Sequence, residues 1–486
     1  MSAVGACGMP IYGSRAQPNI ARLGRASDNQ IIWLLPLTML DTTVSADPFS
    51  QRLARIRQQI AQGQLREAAL ALNQAQQEAP ADARVPLVGM RLADAAGNLK
   101  GAIQAARRAL TLAPGWAVAQ AELAQLLVRT GGAGETQEAV ELARQARAAD
   151  LDHVQLAVGA VNVALAAHDD ALALQWAEEA LEHHPSYADL HLFAGQLLAA
   201  QGRAAQALPH LRQAHDLNPV QILPLLALLQ TASALGDAAA AQTWADRALA
   251  LAPDDEAVRY WNAVAHGETP ATQPAAVVRA LFDHYPADYD RHMAGTLHYR
   301  APERIAALLR EKFPDLRFNL LDLGCGTGFV GACLGRIEGY MIGVDLSQVM
   351  IDQAERRGVY ARFHLVNLLD ALAGTPGDVY EAITCADALP YVGDLTPVLP
   401  NALRVLKPGG WLLLTGEAAQ ADEGDPAAGY VLRASNRYAH RVEAVERQLR
   451  AAGFAPVTLE ALPELRLEGG APLAGFLAVA QKPTAA

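Results

Sequence analysis

A short glycine-rich segment is the part of this sequence whose residue types and spacing most clearly indicate chemistry. Asp322 is followed by glycines at positions 324, 326 and 328, directly after a short apolar stretch. Glycines in such a loop let the chain turn sharply and bring its backbone close to a ligand. Asp345 follows the next apolar stretch, and its carboxylate can accept hydrogen bonds from both hydroxyls of a ribose. The pattern therefore predicts a site for a nucleoside-bearing cofactor.

Strand and helix patterns alternate around this loop. Short apolar stretches predict strands over residues 319–323, 340–344, 362–366, 382–385 and 411–415, with helical segments between them. That order predicts a doubly wound parallel sheet, which binds its ligands at the carboxyl ends of the strands. The glycine spacing differs from the dinucleotide-binding G-x-G-x-x-G, because position 329 is Phe.

The segment from Asp322 to Gly328 resembles motif I of the class I S-adenosylmethionine (AdoMet) methyltransferases. Residues 406–410, Leu-Lys-Pro-Gly-Gly, resemble the turn before the fifth strand of that superfamily. The resemblance implies a Rossmann-like seven-stranded methyltransferase domain with AdoMet as its cofactor. It assigns cofactor binding to Asp322, Gly324, Cys325, Gly326, Gly328, Asp345, Leu346, Asn367, Leu368, Ala386 and Asp387. Asn367 stands where many relatives carry Asp beside the adenine, and its side-chain amide still offers a hydrogen bond.

The resemblance also points to the residues on the acceptor side. In similar enzymes these come from an N-terminal arm and from the segments after the fourth and fifth strands. The candidates are Tyr289, His292, Tyr299, Arg300, Glu417, Arg437, Tyr438 and His440. Methyl transfer needs mainly an oriented nucleophile and exclusion of water, with a base only where the acceptor must lose a proton. Two arginines among the candidates favour an anionic acceptor such as a carboxylate, although packing or surface roles are the alternative for each residue.

A 34-residue period runs through the first half of the chain. Prolines stand at positions 80, 114, 185, 219 and 253, with separations of 34, 71, 34 and 34. The separation of 71 equals two periods plus three residues, and residues 131–134 are a natural place for the insertion. Seventeen residues before each proline lie Gly63, Gly97, His168, Gly202 and Gly236, where a turn would separate two helices. The pattern resembles the tetratricopeptide (TPR) repeat, whose usual role is to bind peptides or protein segments.

The charge distribution bears on the partners of the protein. Lys and Arg number 39 against 51 Asp and Glu, a formal net charge of −12, which disfavours binding of nucleic acid. Between Arg147 and Arg203 there are eight acidic residues and no Lys or Arg. The stretch is either a docking surface for a basic partner or a set of ordinary solvated helix faces.

The remaining composition bounds the class of protein. Hydrophobic residues make up 51% and charged residues 19%, as in globular proteins. Four scattered cysteines favour a reducing compartment, and no apolar run reaches the roughly 18 residues that a membrane helix needs. We therefore predict a cytoplasmic protein with no metal site and no membrane span. The apolar residues 31–40 follow several arginines, so a secretory signal is a less favoured alternative to a poorly ordered extension or an upstream start.

The predicted architecture is α + α/β, with a helical solenoid before a Rossmann-like domain. We predict an extension over residues 1–49, about six TPR repeats and a capping helix over 50–266, a linker over 267–274 and a methyltransferase domain over 275–486. The favoured function is AdoMet-dependent methyl transfer to a small molecule or to a protein recruited by the repeats. One alternative is a non-catalytic TPR scaffold that senses AdoMet. A nucleic-acid methyltransferase is a less favoured alternative, because the sequence has no Asn/Asp-Pro-Pro-Tyr-type motif.

Overall fold

The computed structural model describes residues 47–283 and 289–484, together with two short paired strands, β1 (Ala21–Leu23) and β2 (Ile32–Leu34). The predicted extension therefore lies outside the described residues from position 1 to position 46, except for those two strands. From position 47 onward the chain divides into two compact units, with the division between Phe193 and Ala194. The predicted domain boundary at residues 267–274 stays a prediction. No helix in the described ranges has both the length and the apolar character that crossing a membrane requires.

The first half of the described chain is helical. Its helices are α1 (Pro48–Ala61), α2 (Leu65–Glu78), α3 (Arg84–Ala95), α4 (Leu99–Leu112), α5 (Ala117–Val128), α6 (Ala133–Ala149), α7 (Val154–Ala166), α8 (Asp170–His183), α9 (Ala188–Ala200), α10 (Ala204–Leu217), α11 (Ile222–Ala234), α12 (Ala238–Leu251) and α13 (Glu256–Ala265). The even-numbered helices α2 to α12 begin at residues 65, 99, 133, 170, 204 and 238, so every step is 34 residues except one of 37. The longer step follows α6, which has 17 residues where α4 has 14. The structure thus confirms the repeated helix pair and its insertion.

Left-handed residues close the first helix of each pair. Gly63, Gly97, Gly202 and Gly236 have φ of 73° to 74°. His168 holds the equivalent position with φ of 59°, a conformation that costs a side-chain-bearing residue more than glycine. The predicted turn positions are therefore confirmed, including the one without glycine.

Alanines fill the interior of the helix pairs. The residues twelve and five positions before the periodic prolines are all buried: Ala68, Ala102, Ala173, Ala207, Ala241, Ala75, Ala109, Ala180, Ala214 and Ala248. A methyl side chain lets two helices approach closely, whereas a larger one would separate them. The alanine-rich composition is thus a packing requirement of this half of the chain.

A nine-stranded sheet forms the core of the second half. Its elements are α14 (Ala275–Phe282), α15 (Tyr289–Arg291), a π-helical turn (His292–Thr296), α16 (Ala301–Lys312), β3 (Leu320–Leu323), α17 (Phe329–Leu334), β4 (Met341–Asp345), α18 (Gln348–Glu355), β5 (Arg362–Leu365), α19 (Leu368–Gly374), β6 (Tyr380–Cys385), a 3-10 turn (Leu389–Tyr391), α20 (Leu399–Val405), β7 (Leu406–Ala418), β8 (Tyr430–Leu432), β9 (Tyr438–His440), α21 (Val442–Ala452), β10 (Val457–Glu468) and β11 (Ala471–Gln481). The main path runs β10-β11-β7-β6-β3-β4-β5, and β8 and β9 extend it beside β7. Strands β3 to β7 are parallel, whereas β11 and β10 are antiparallel additions. The doubly wound sheet is confirmed.

Two details differ from the sequence expectation. Residues 406–410, expected as a turn, belong to β7, where Gly409 has φ of 79° and the pairing with β6 shifts register. The predicted linker contacts the sheet region, since the N–H groups of Gly393 and Asp394 donate to the carbonyl of Ala271 and that of Gln273 donates to Tyr391. These bonds bring residues 272 and 273 to the carboxyl edge of the sheet.

Candidate functional site

The glycine loop lies directly after β3. Gly324, Gly326 and Gly328 have φ of 64°, 53° and 76°, all in the left-handed region that favours glycine. A Cβ added at Gly324 would lie 2.6 Å from the Cβ of Ala388, whereas one at Gly326 would meet no atom within 4 Å. Gly324 is therefore needed for close packing, and Gly326 leaves open space through which a ligand can approach the backbone.

Asp345 holds the loop against the end of β4. One of its carboxylate oxygens, Oδ2, accepts from the N–H of Gly326 at 2.8 Å, and Oδ1 accepts from that of Ser347 at 2.9 Å. Burial raises the pKa of Asp345, and these backbone donors oppose the rise. Each oxygen retains a second lone pair, so the carboxylate can also accept bonds from a ligand.

Asp322 is a buried carboxylate beneath the loop. It accepts hydrogen bonds from the hydroxyls of Tyr360, at 2.6 Å, and Thr384, at 2.7 Å. Burial raises its pKa to about 6, although both hydroxyls oppose that rise. Asp322 thus connects β3 to β6 and to the segment before β5, and fixes the base of the site.

A second contact joins the loop to the arm that precedes the sheet. The Thr327 hydroxyl donates to Asp290, and the Arg357 guanidinium donates both to Asp290 and to the Thr327 carbonyl. Asp290 belongs to α15, so this cluster holds the arm against the glycine loop. The arm side chains Tyr289, Met293 and Tyr299 line the same cavity as the loop.

This cavity, which we call the loop cavity, contains most of the predicted cofactor residues. Its lining includes Asp322, Gly324, Cys325, Gly326, Asp345, Leu346, Asn367, Leu368, Ala386 and Asp387. Gly328 lies outside the described lining at the start of α17, where an added Cβ would lie 2.9 Å from the ring of Tyr360. Asn367 caps α19, since its Oδ1 accepts from the N–H of Leu369 at 2.8 Å. The structure thus brings ten of the eleven residues together, and their role in cofactor binding stays a prediction.

Residues 320–410 match the profile of a family described as "Methyltransferase domain". This segment forms a methyltransferase domain. Its cofactor is S-adenosylmethionine. The loop cavity suits this cofactor, because it combines an open backbone at Gly326 with the Asp345 carboxylate at the end of β4.

Curated relatives match part of this chain and part of their own length. The human "Methyltransferase-like protein 27" is 36% identical over 139 residues, which cover 28% of this chain and 56% of that protein. The "Ubiquinone biosynthesis O-methyltransferase" of Hydrogenovibrio crunogenus is 29% identical over 126 residues, 25% of this chain and 51% of that protein. The chain therefore spans about half the length of these relatives.

Solved structures resemble parts of the chain at low TM-scores. A SAM-dependent methyltransferase from Methanosarcina mazei has a TM-score of 0.30 and 19% identity, and covers 37% of this chain and 98% of its own. The type IV pilus biogenesis factor PilW has a TM-score of 0.39 and 17% identity, and covers 44% of this chain and 99% of its own. Neither likeness informs the function.

Three of the eight acceptor-side candidates line a cavity of the methyltransferase domain. Tyr289 lines the loop cavity and a second one beside it, Tyr299 lines the loop cavity alone, and Arg437 lines the second alone. Burial raises the pKa of Tyr299 well above its usual value, so its hydroxyl stays protonated.

The other five candidates lie outside the described linings. Arg300 is 69% exposed and pairs with Glu303 at 3.1 Å, and His292 lies half-buried in the π-helical turn. Tyr438 is buried and donates to the carbonyl of Pro270 at 2.7 Å. His440 is buried, and its Nε2 lies 3.0 Å and 3.1 Å from the carbonyls of Val392 and Gly393. Tyr438 and His440 thus anchor backbone carbonyls and Arg300 forms a surface ion pair, and their predicted acceptor-side roles stay predictions.

Glu417, the fifth of these, is the centre of a buried charge cluster. It is fully buried, and its carboxylate pairs with Arg433 at 2.7 Å, Arg437 at 2.6 Å and Arg466 at 2.5 Å. Burial raises the pKa of Glu417, but Arg437 and Arg466 outweigh it and lower the pKa to about 2. Arg437 and Arg466 also pair with Asp387, at 3.0 Å and 3.3 Å. The cluster therefore connects Glu417 to the edge of both cavities.

Several residues of the site carry no recognisable motif. Gln273, Phe282, Met293, Tyr391 and Arg466 contribute to cavity walls from four separate parts of the chain. Arg466 alternates with Leu465 and Leu467 in β10, between Glu464 and Glu468, so it reads like any polar residue of a half-buried strand. Nothing local in the sequence marked the others.

We expect His440 to make stability depend on pH between about 6.5 and 4. Burial lowers its pKa from 6.5 to about 4, so in that window only the unfolded chain binds the proton. The stability of the protein relative to His440→Gln should therefore fall by up to about 1.4 kcal/mol per pH unit on acidification, and should not change above pH 6.5. Urea unfolding of both proteins at each pH measures this difference. The contributions of Asp322 and the other titrating groups to the pH dependence are the same in both proteins and therefore cancel. A difference that is constant from pH 7 to pH 4 would contradict the assignment.

Proposed function

We propose that the protein transfers the methyl group of S-adenosylmethionine to an acceptor bound beside the loop cavity. The observation that carries the proposal is the placement of Asp345 and the glycine loop in one cavity at the carboxyl edge of a doubly wound sheet. The cofactor supplies a methyl group already activated on a sulfonium. The residues of this chain bind and orient the two reactants and exclude water.

We infer distinct roles for the loop-cavity residues. Asp345 accepts hydrogen bonds from the ribose hydroxyls, Leu346 and Leu368 pack on either side of the adenine, and Asn367 contacts its edge. The glycine loop and residues 386–387 lie beside the methionine portion. Tyr289, Met293 and Tyr299 of the arm cover the cavity and keep water from the methyl group.

The acceptor requires a revised description. The expectation of a carboxylate-bearing acceptor rested on Arg300 and Arg437. Arg300 is exposed beside Glu303, and Arg437 already donates to Glu417, Tyr391 and Asp387. The basis for an anionic acceptor is therefore lost, because no uncommitted guanidinium of this pair faces the cavity.

We propose that the helix pairs are TPR repeats that recruit a protein or peptide partner. The 34-residue step between helices and the left-handed turn residues support this assignment. A basic partner remains part of the proposal, although some of the acidic residues have structural roles. Asp169 caps α8, and Glu179 pairs with Arg147 at 2.5 Å.

Incubation of the full chain with methyl-labelled S-adenosylmethionine and cell lysate tests the proposal. We expect label to enter an acceptor, and expect this transfer to be lost in Asp345→Ala. Separation of protein from small molecules then identifies the fraction that is methylated. Binding of S-adenosylmethionine without transfer to any fraction would favour the alternative, a repeat scaffold that senses the cofactor.

A further inference from the structure

The second cavity, which we call the side cavity, adjoins the loop cavity. Both are lined by Gln273, Phe282, Tyr289, Met293, Asp387 and Tyr391. A molecule in the side cavity would therefore share its inner wall with the methionine end of the cofactor. If the proposed function holds, this position is where an acceptor must lie to receive the methyl group in line.

The charges around the side cavity leave an excess of carboxylate. Arg437 and Arg466 line it, and both are paired with Glu417 and Asp387. Glu468 also lines it, and its carboxylate has no ion-pair partner in the described part of the chain. Arg433 also pairs with Glu417 and with Glu423, so the cluster and Glu468 together count three guanidinium groups against four carboxylates. An anionic acceptor would therefore meet net repulsion, while a cationic one would be attracted.

Aromatic rings form much of the remaining wall. Trp261, Phe282, Tyr289 and Tyr391 all line the side cavity. The Arg437 guanidinium lies 5.2 Å from the ring centroid of Tyr391, so one of these rings already faces a cation. Aromatic faces attract ammonium groups and also bind the uncharged body that carries them. A cavity lined by both aromatic rings and carboxylates therefore favours the binding of a cation.

Asp387 occupies the junction of the two cavities in a constrained conformation. Its φ is 57°, in the left-handed region, and its N–H donates to the Thr415 hydroxyl at 3.0 Å. Arg437 and Arg466 both donate to Oδ1, while Oδ2 has no hydrogen-bond partner among the described residues. A backbone conformation of this kind persists only where surrounding contacts hold it, and such residues are concentrated at active sites and ligand-binding sites. Here it leaves one carboxylate oxygen available at the point where acceptor and methyl group would meet.

A bulge in β10 places Arg466 in this arrangement. The pairing of β10 with β11 shifts register between Leu462 and Arg466, and Arg466 is only 4% exposed. Bulges redirect side chains, and this one accompanies a guanidinium that contacts both Glu417 and Asp387. Arg466 is thus a positioning residue that acts through Asp387.

We propose that the side cavity binds an amine and that its nitrogen is the methyl acceptor. The ammonium is drawn in by Glu468 and the rings, and loses one proton to solvent. Asp387 Oδ2 accepts a hydrogen bond from the resulting amine and directs its lone pair at the methyl carbon. The new N–C bond forms as the S–C bond breaks, and the bonding pair of the latter stays on sulfur. The inference rests on the proposed function and specifies its acceptor class.

Three probes of matched shape test the acceptor class: 2-phenylethylamine, 2-phenylethanol and 3-phenylpropionate. Binding of each is measured by calorimetry to the full chain saturated with S-adenosylhomocysteine. We expect the amine to bind about tenfold or more tightly than the carboxylate, with the alcohol between them. Equal or tighter binding of the carboxylate, or no binding of the amine, would overturn the proposal.

Single substitutions test which residues cause the preference for the amine over the carboxylate. Glu468→Gln and Asp387→Asn should each reduce the amine-to-carboxylate ratio at least about threefold, whereas Glu464→Gln, an exposed residue of the same strand, should leave it unchanged. An equal ratio in Glu468→Gln, Asp387→Asn and the unsubstituted protein would contradict the assignment of the cavity. Direct titration with S-adenosylhomocysteine separates the two proposals, since failure of that titration counts against the methyltransferase function itself.

The chemical form of the transferred label distinguishes the sources of amine. After incubation with lysate, methylated lysine in acid-hydrolysed protein indicates a protein amine, and label in methylated small amines indicates a free one. Both outcomes support an amine acceptor. Label released as methanol by mild base would instead identify carboxylate esters and overturn it.

Discussion

Replacement of Asp345 by alanine is expected to raise the Kd for S-adenosylmethionine about 100-fold, because two hydrogen bonds to a charged group contribute roughly 3 kcal/mol together. The same change frees the N–H groups of Gly326 and Ser347, which the carboxylate now holds. Calorimetric titration of the purified full chain measures the effect.

The control for this variant is Asp352→Asn. Asp352 lies on α18, the helix that follows Asp345, but it is exposed and contacts only the side chain of Gln348 in the described contacts. We expect its Kd to equal that of the unsubstituted protein. An affinity loss below about fivefold in Asp345→Ala, with an unchanged unfolding transition, would mean that another residue holds the ribose.

Replacement of Glu417 by glutamine is expected to have the largest effect on stability. It would leave the buried Arg466 and the largely buried Arg437 without their main counter-charge, and breaking a buried pair in this way costs about 3–5 kcal/mol. Urea unfolding followed by circular dichroism measures the loss in the free energy of unfolding, provided that both proteins show the same dependence of that free energy on urea concentration.

Glu423→Gln provides the matched comparison. Glu423 pairs with Arg433 of the same cluster, but its side chain is 31% exposed. A partly solvated pair contributes about 1 kcal/mol or less, so we expect a correspondingly small loss. If both substitutions cost the same, Glu417 would not be the centre of the cluster.

Local patterns in the sequence predicted much of the fold. The period of 34 residues located the helix pairs, and even His168 was assigned to a turn from its position in the period. The glycine loop and Asp345 were predicted as one site because the carboxyl ends of parallel strands must meet. Each of these features is encoded by residues close together in the chain.

The acceptor side could not be predicted in the same way. His440, Tyr438 and Arg300 carry side chains suited to chemistry, yet their surroundings make them a loop anchor, a buried hydrogen-bond donor and a surface ion pair. Residue type states what a side chain can do, and only its neighbours determine whether it does so at a reacting group. Most of those neighbours lie more than 40 residues away along the chain.

The sequence by itself therefore determined the glycine loop, the carboxylate after the second strand of the parallel sheet and the repeated helix pair. Only the tertiary structure decided that Arg437 is neutralised and that Arg466 joins it at Asp387. The physical reason is that charge is balanced in space: Glu417 meets Arg466 at 2.5 Å across 49 residues of sequence. An arginine count favours an anionic acceptor, whereas the assembled cluster leaves Glu468 as the uncompensated charge and favours a cation.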